Sequence, residues 1–309
     1  MILAVLSDVH GNHHALAACL AEAKARGAEH CLFLGDYVTD GAYPERTLAL
    51  LRETARQVPC TFIRGNREEY MLSRRAGGET HWGRDSATGS LLYTYENLTP
   101  EDLDWFASLE NHATLALPGA PAIFLCHGTS QASRGNLKED NPATPGLLAE
   151  LPEPVVLCGH SHHQYAYRRW GKLVVNPGSV GANADGVGKL AYMALLHVEG
   201  DAVEEELLQV PYDWKAALRE LEDSGLARRA PVWTRMVAEL IRTGVNYCIS
   251  VPTRAHDEYL RDTGQDVPWH EVPEEYWINA AAQAGLAVAE ARPAIADARP
   301  AVADARPEK

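Results

Sequence analysis

Polar and apolar positions in the N-terminal part of the chain alternate between two rhythms. Continuous apolar runs at ILAVLSD from Ile2, HCLFLGD from His30 and CTFIRGN from Cys60 have the length of strands buried on both faces. Between them lie stretches of helical spacing, one through Leu16, Ala17, Leu20 and Ala23, the other from about Glu45 to Arg56 with Leu48, Leu51 and Ala55. This βαβαβ alternation predicts parallel pairing through right-handed crossovers. From Glu68 to about His112 the pattern is helical and loop-like, with Trp82, Tyr93, Tyr95, Trp105 and Phe106 expected in the core. Strands resume at AIFLCHG, VVLCGHSH and KLVVNPGS. The runs KLAYMALLHV and AVEEELLQV read as an antiparallel pair turning through Glu199, Gly200 and Asp201. Together these later strands are expected to form a second sheet against the first.

Beyond Tyr212 the character changes. One helix is expected from about Trp214 to Ser224, ending at Gly225, and another carries Trp233, Met236, Val237, Leu240 and Ile241 before Gly244. Such an apolar stripe normally docks a helix onto its domain. Residues 245–285, rich in Tyr, Trp and acids, are open to three roles: a cap over the site, a dimer contact, or plain packing. The chain closes with AVAEARP, AIADARP and AVADARP, a seven-residue repeat whose proline breaks a helix each time, which favours a flexible tail. The expected division is a catalytic domain at 1–212, a helical extension at 213–286 and a repeat tail at 287–309.

Five segments that close apolar runs carry groups able to hold metal: Asp8 and His10 in LSDVHGN, Asp36 in FLGDYV, Asn66 in FIRGNRE, His127 in FLCHGT, and His160 and His162 in LCGHSHH. Open α/β sheets place ligand sites at the carboxyl ends of strands, so five such segments point to one site. Two divalent ions roughly 3.5–4 Å apart can activate a water and clamp the oxygens of an in-line phosphoryl displacement. The pair needs an anion that bridges, neutral imidazoles and open positions. Carboxylates, histidines and one amide supply that mixture, which suits manganese, iron, nickel, cobalt or zinc better than an all-oxygen magnesium cage.

Read in order, Asp-x-His, Gly-Asp, Gly-Asn, a lone His-Gly and Gly-His-x-His resemble the calcineurin-like metallophosphoesterase superfamily. LSDVHGNHHAL, GDYVTDGAYPERTLALL and VVNPGSVG are similar to its compact bacterial and archaeal phosphodiesterase branch. The likeness spans roughly residues 1–210 and continues more weakly through PYDWKAALRELEDSGL. It implies an α/β fold, a four-layer α/β/β/α sandwich of two mixed sheets, here with a C-terminal helical extension. It also implies two transition-metal ions, manganese foremost for activity. Asp8, His10 and His162 would hold the first ion and Asn66, His127 and His160 the second. Asp36 would bridge them, and a hydroxide spanning the two would attack a phosphodiester, an activated monoester or a nucleotide anhydride. Asp36, Asn66, Arg67 and His127 would be the catalytic set.

The family's Gly-Asn motif usually continues with His, a general acid for the leaving oxygen; here Arg67 follows, then Glu68 and Glu69. Arginine stays charged up to a pKa of about 12 and cannot give up a proton usefully, yet it can stabilise transition-state charge. The plainer reading pairs Arg67 with Glu68 or Glu69 at the surface. Two other functions compete with the diesterase: a phosphoprotein or nucleotide phosphatase, which Arg67 weakens, and a metal-binding protein-interaction scaffold, against which seven intact ligand positions speak.

The formal charge of −14 over 309 residues, with a pI near 5.4, disfavours a long nucleic acid or an anionic membrane as partner, leaving a small phosphoester or nucleotide-like substrate. The six cysteines form no C-x-x-C pair and read as free thiols of a reducing compartment. The first strand begins at Ile2, which leaves no room for a leader, and no run of eighteen apolar residues offers a membrane span. A cytoplasmic protein is expected, with homo-oligomerisation open. Asn176 and Ser179 in the NPGS turn either orient the site or only build the turn. His13, His14 and His163 are expected to face solvent or groups outside the ligand set.

Overall fold

A computed structural model describes residues 1–286; the repeat tail lies outside the described residues. The strands are β1 (Ile2–Leu6), β2 (His30–Phe33), β3 (Cys60–Phe62), β4 (His112–Leu115), β5 (Ile123–Cys126), β6 (Val155–Leu157), β7 (Gln164–Arg169), β8 (Lys172–Pro177), β9 (Leu190–Glu199) and β10 (Ala202–Pro211). The helices are α1 (His13–Ala25), α2 (Pro44–Gln57), α3 (Asn66–Arg75), α4 (Gly89–Glu96), α5 (Pro100–Ser108), α6 (Thr144–Ala149), α7 (Trp214–Asp223), α8 (Leu226–Arg229), α9 (Pro231–Thr243), α10 (Ser250–Thr263) and α11 (Glu274–Gln283).

Two mixed sheets result, ordered β10-β9-β1-β2-β3 and β4-β5-β6-β8-β7. Alternate residues of one strand serve opposite cores. On β1, Ala4 and Leu6 join the helix-side cluster with Leu16, Leu48 and Phe106. Leu3 and Val5 enter the inter-sheet cluster with Ile123, Leu157 and Val175. The outer face of the second sheet, through Phe124, Val156 and Val174, is covered by Leu137 and by Leu148 of α6. That stacking is the four-layer sandwich, with parallel β1–β2–β3 pairing as the alternation requires.

The β9–β10 hairpin does turn through Gly200 and Asp201, but it does not join the second sheet. β9 pairs antiparallel with β1, placing Ile2 opposite His197 and Val5 opposite Ala194. Both faces of β9 are apolar, with Met193 and Leu195 towards the helices and Ala194 and Leu196 towards the second sheet. An apolar run of that kind fits beside β1 as well as beside β8, and the return of the chain decides between them. β4 and β7, the edge strands of the second sheet, fell in no expected run; β7 is QYAYRR, polar because its edge is exposed.

Trp82 and Phe106 are buried in the helix-side core, against which Tyr95 and Trp105 pack, and Tyr93 is buried in a separate cluster with Leu221, Val237 and Ile241. Asn12 caps α1 by accepting from the Ala15 N–H, and α9 stops at Gly244, whose φ of 73° is the left-handed conformation glycine favours. Residues 245–286 supply α10 and α11, which share a core with α9: Val251, Ala255 and Trp277 close on Val232 and Met236. Among the described residues no helix is long and apolar enough to cross a membrane.

Candidate metal centre

The seven ligand candidates converge where the two sheets present their strand ends. Asp8 and His10 follow β1, Asp36 follows β2, Asn66 opens α3 after β3, His127 follows β5, and His160 and His162 follow β6. Two groups form, Asp8 with His10 and His162, and Asp36 with His127 and His160, each with ligand atoms within 4.8 Å of one another. Asp36 Oδ2 lies 3.8 Å from His10 Nε2 and 3.4 Å from His127 Nε2, between the groups. Asn66 Oδ1 lies 3.2 Å from His127 Nε2.

Five of these residues hold a left-handed backbone: Asp8 and Asp36 at φ 55°, His10 at 49°, His160 at 62° and His162 at 59°. Each such conformation costs an L-residue on the order of 1–3 kcal/mol and persists where surrounding structure over-determines it, characteristically at functional sites. Neighbouring glycines let the loops approach. A Cβ on Gly65 would come 2.3 Å from Asp36 Oδ1, and one on Gly159 would come 2.0 Å from Ser7 Oγ.

Three of the four rings are held from behind. His127 Nδ1 lies 2.7 Å from the Leu34 carbonyl and His162 Nδ1 2.7 Å from that of Ala182. A carbonyl only accepts, so in the neutral ring Nδ1 carries the proton and Nε2 is the ligand atom. His10 Nδ1 lies 3.1 Å from the Asp40 carboxylate, to the same effect. The Nε2 atoms of His10 and His162 face each other at 3.0 Å, and Asp8 Oδ1 is buried with no hydrogen bond among the described residues. An unpartnered, buried carboxylate oxygen facing this cluster of imidazole nitrogens is what divalent ions would satisfy, and rear hydrogen bonds of this kind accompany metal-binding histidines generally. The donor set therefore fits divalent metal.

Charge in the cluster is tightly linked. Burial works against imidazolium at His10, but Asp40, Asp8 and Asp36 outweigh it and raise its pKa to about 9. At His127 burial is outweighed by Asp36 and Asp8, giving about 10. Burial, helped by His127, takes His160 down to about 4. Asp36 falls to about 2, burial being overcome by His127 and His10, and Asp8 lies well below the usual carboxylate range for like reasons.

Several functional side chains escaped the sequence reading. Asp40 is buried against His10 and lies 3.3 Å from Arg67 Nη2, while Trp233 of α9 donates its indole N–H to Asp40 Oδ1 at 2.8 Å. Among the described residues Glu68 pairs with no arginine: it accepts from the Asp36, Tyr37 and Gly65 backbone N–H groups, tying two ligand loops together. Glu69 accepts from Ser133 Oγ. Arg67 thus faces Asp40, and Asp36 at 3.9 Å, rather than either glutamate, and its side chain is 19 % exposed. Asn176 donates to the Gly159 carbonyl and Ser179 to that of Asp8, so the NPGS turn holds two ligand loops. Cys248 sits close enough to Asp40 and Arg67 to feel both charges, which brings the segment before α10 beside the centre. In the sequence Asp40 lay unremarked within the family-like GDYVTD segment, and Trp233 was expected only as part of a helix's apolar stripe.

A profile of the calcineurin-like phosphoesterase superfamily domain matches residues 1–201. An uncharacterized protein of Methanocaldococcus jannaschii is 27% identical over 257 residues, covering 75% of this chain and 95% of that protein. Among solved structures, a hypothetical protein of Pyrococcus horikoshii is similar at TM-score 0.66 and 21% identity over 79% of this chain and 99% of its own. A metallophosphoesterase of Sphaerobacter thermophilus is similar at TM-score 0.59 and 21% identity, with 75% and 99% covered.

Proposed function

The chain belongs to the calcineurin-like phosphoesterase superfamily, which implies a hydrolase of phosphoesters, and we propose that it cleaves phosphodiester bonds at a dinuclear metal centre. The observation supporting this reading is the convergence of imidazole Nε2 atoms with Asp8 Oδ1 and Asp36 Oδ2, every ring but that of His160 being fixed through its far nitrogen. Asp8, His10 and His162 would hold one ion, Asn66, His127 and His160 the other, with Asp36 shared. Manganese, iron, nickel, cobalt or zinc would suit the set. Such ions supply, when bound, Lewis acidity and water activation near neutral pH.

The protein's own contribution is positioning and charge. Arg67 places a guanidinium beside Asp36 and Asp40, where it would pair with a non-bridging phosphate oxygen and steady the charge that develops on it. Its backbone N–H donates to Asp36 Oδ1 at 2.8 Å, so the residue also orients the bridging carboxylate. Since Arg67 occupies the position of the family's proton donor, departure of the leaving group should depend on its own acidity.

The test is turnover by metal-reconstituted protein on aryl diesters of graded phenol pKa, alkyl diesters, monoesters, cyclic nucleotides and dinucleoside polyphosphates. Aryl diesters and anhydrides should react faster than alkyl esters, with a steep dependence on leaving-group pKa and complete loss in chelator. Turnover of phosphopeptides but of no diester would replace this reading with a phosphatase, and no turnover with any of the five metals would favour a binding scaffold.

A further inference from the structure

α1 opens with two adjacent histidines that the candidate centre does not use, and both turn towards α7. His13 Nε2 lies 3.5 Å and His14 Nε2 3.2 Å from the same carboxylate oxygen, Glu220 Oε2. The two rings are 4.1 Å apart between centroids and inclined by 34°. All three ligand atoms fall within 4.8 Å of one another.

An ion with bonds of about 2.0–2.1 Å in tetrahedral coordination separates its ligand atoms by roughly 3.4 Å, close to both histidine–carboxylate distances. Hydrogen bonding accounts less well for the arrangement. His14 Nε2 is buried and makes no hydrogen bond among the described residues. Burial pushes His13 down to about 4, so at neutral pH its ring offers a lone pair rather than a cation to Glu220. Glu220 Oε1, the other carboxylate oxygen, accepts from Arg46 Nη1 at 2.7 Å, an outer hydrogen bond of the type that orients ligating carboxylates. A cavity of about 20 Å³ adjoins the cluster, large enough for one ion or water; His13, His14 and Glu220 line it together with His10 and apolar side chains such as Val237 and Ile241.

We propose that His13, His14 and Glu220 form a separate site for a single borderline divalent ion, zinc by the character of two imidazoles and one carboxylate, with a fourth position open to water. It uses no ligand of the dinuclear centre and stands whether or not the phosphodiesterase reading holds. Zinc there would pin α7 to the helix that leads directly out of the Asp8–His10 loop.

The measurement is zinc content after stripping the full-length protein with chelator and re-equilibrating by dialysis. Wild type should retain one equivalent more than Glu220→Gln, and His14→Ala should match Glu220→Gln. Asp36→Asn, which acts on the other centre, should keep this equivalent whatever else it loses. Thermal melts supply an independent arm: in chelator wild type and Glu220→Gln should unfold together, and added zinc should raise wild type by more than Glu220→Gln, which keeps the dinuclear centre. Cobalt(II) should likewise give a four-coordinate visible spectrum whose difference between wild type and His14→Ala corresponds to one ion. Equal zinc content in wild type, Glu220→Gln and His14→Ala, with melts that coincide in zinc, would overturn the proposal.

Discussion

Asp36 carries more of the proposed chemistry than any other side chain. One carboxylate oxygen faces both histidine groups while the other is fixed by the Arg67 N–H. Asp36→Asn keeps the shape and removes the charge. It should lower metal affinity by more than the 10–100-fold that loss of an outer partner costs, with activity falling in parallel. Bound metal and turnover are measured side by side, and a fully active, fully loaded variant would eliminate the bridging role. Asp40 is such an outer partner. Its carboxylate holds His10 Nδ1, pairs with Arg67 and accepts from Trp233, so Asp40→Asn should cost about 10–100-fold in metal affinity, read by competitive titration against a chelating dye. Wild-type affinity in that variant would reduce Asp40 to a packing residue.

At the scale of elements, the site depends on how closely strand-end loops approach. The turn after β6 passes so near the end of β1 that a Cβ on Gly159 would meet Ser7 Oγ at 2.0 Å and Asp8 Oδ2 at 2.9 Å. Gly159→Ala should therefore destabilise by roughly 1–3 kcal/mol, the usual range for overpacking, and displace Asp8 enough to lower metal content. Gly146→Ala in α6 is the control, because a Cβ there meets nothing within 4 Å. Thermal melts and metal analysis of both variants check the point; equal behaviour would show that the β6 turn can yield without disturbing the ligands.

Across the whole molecule, the buried charge makes stability depend on pH. His10 and His127 have folded pKa values of about 9 and 10 against 6.5 for the free side chain, so folding takes up protons. The stability they contribute is fully present below about pH 6.5 and is lost as pH rises through 9 and 10. Glu68, raised from 4.5 to about 7 by burial and by Asp36, acts in the same direction but lower, between about pH 4.5 and 7. Asp8 and Asp36, whose pKa values are lowered, contribute stability that is lost only in acid. The melting temperature of the chelated protein should consequently fall between pH 6.5 and 10. Ligation needs neutral rings and releases protons, so metal affinity should climb over the same interval. A chelated protein that gains stability across that range would contradict the charge assignment.

Much of this was legible in the chain. Apolar runs located the central strands because a strand buried on both faces must be apolar throughout, and polar residues closing those runs had to lie at one end of the sheets. The β9–β10 turn and the stop of α9 at Gly244 were equally local, each set by backbone chemistry within a few residues. Which sheet received β9 was not local, since its run satisfies either neighbour and only chain return and register choose. β4 and β7 stayed hidden because short edge strands bury too little to impose a pattern. Asp40, Trp233 and Glu68 gained their roles across separations of 30 to 193 residues, through contacts that no spacing encodes. For the same reason His13 and His14 were expected only to face solvent or groups outside the ligand set, and α7 is what brings Glu220 against them. Periodicity reports the burial of a segment, whereas the partners of a buried polar group depend on how distant segments come together.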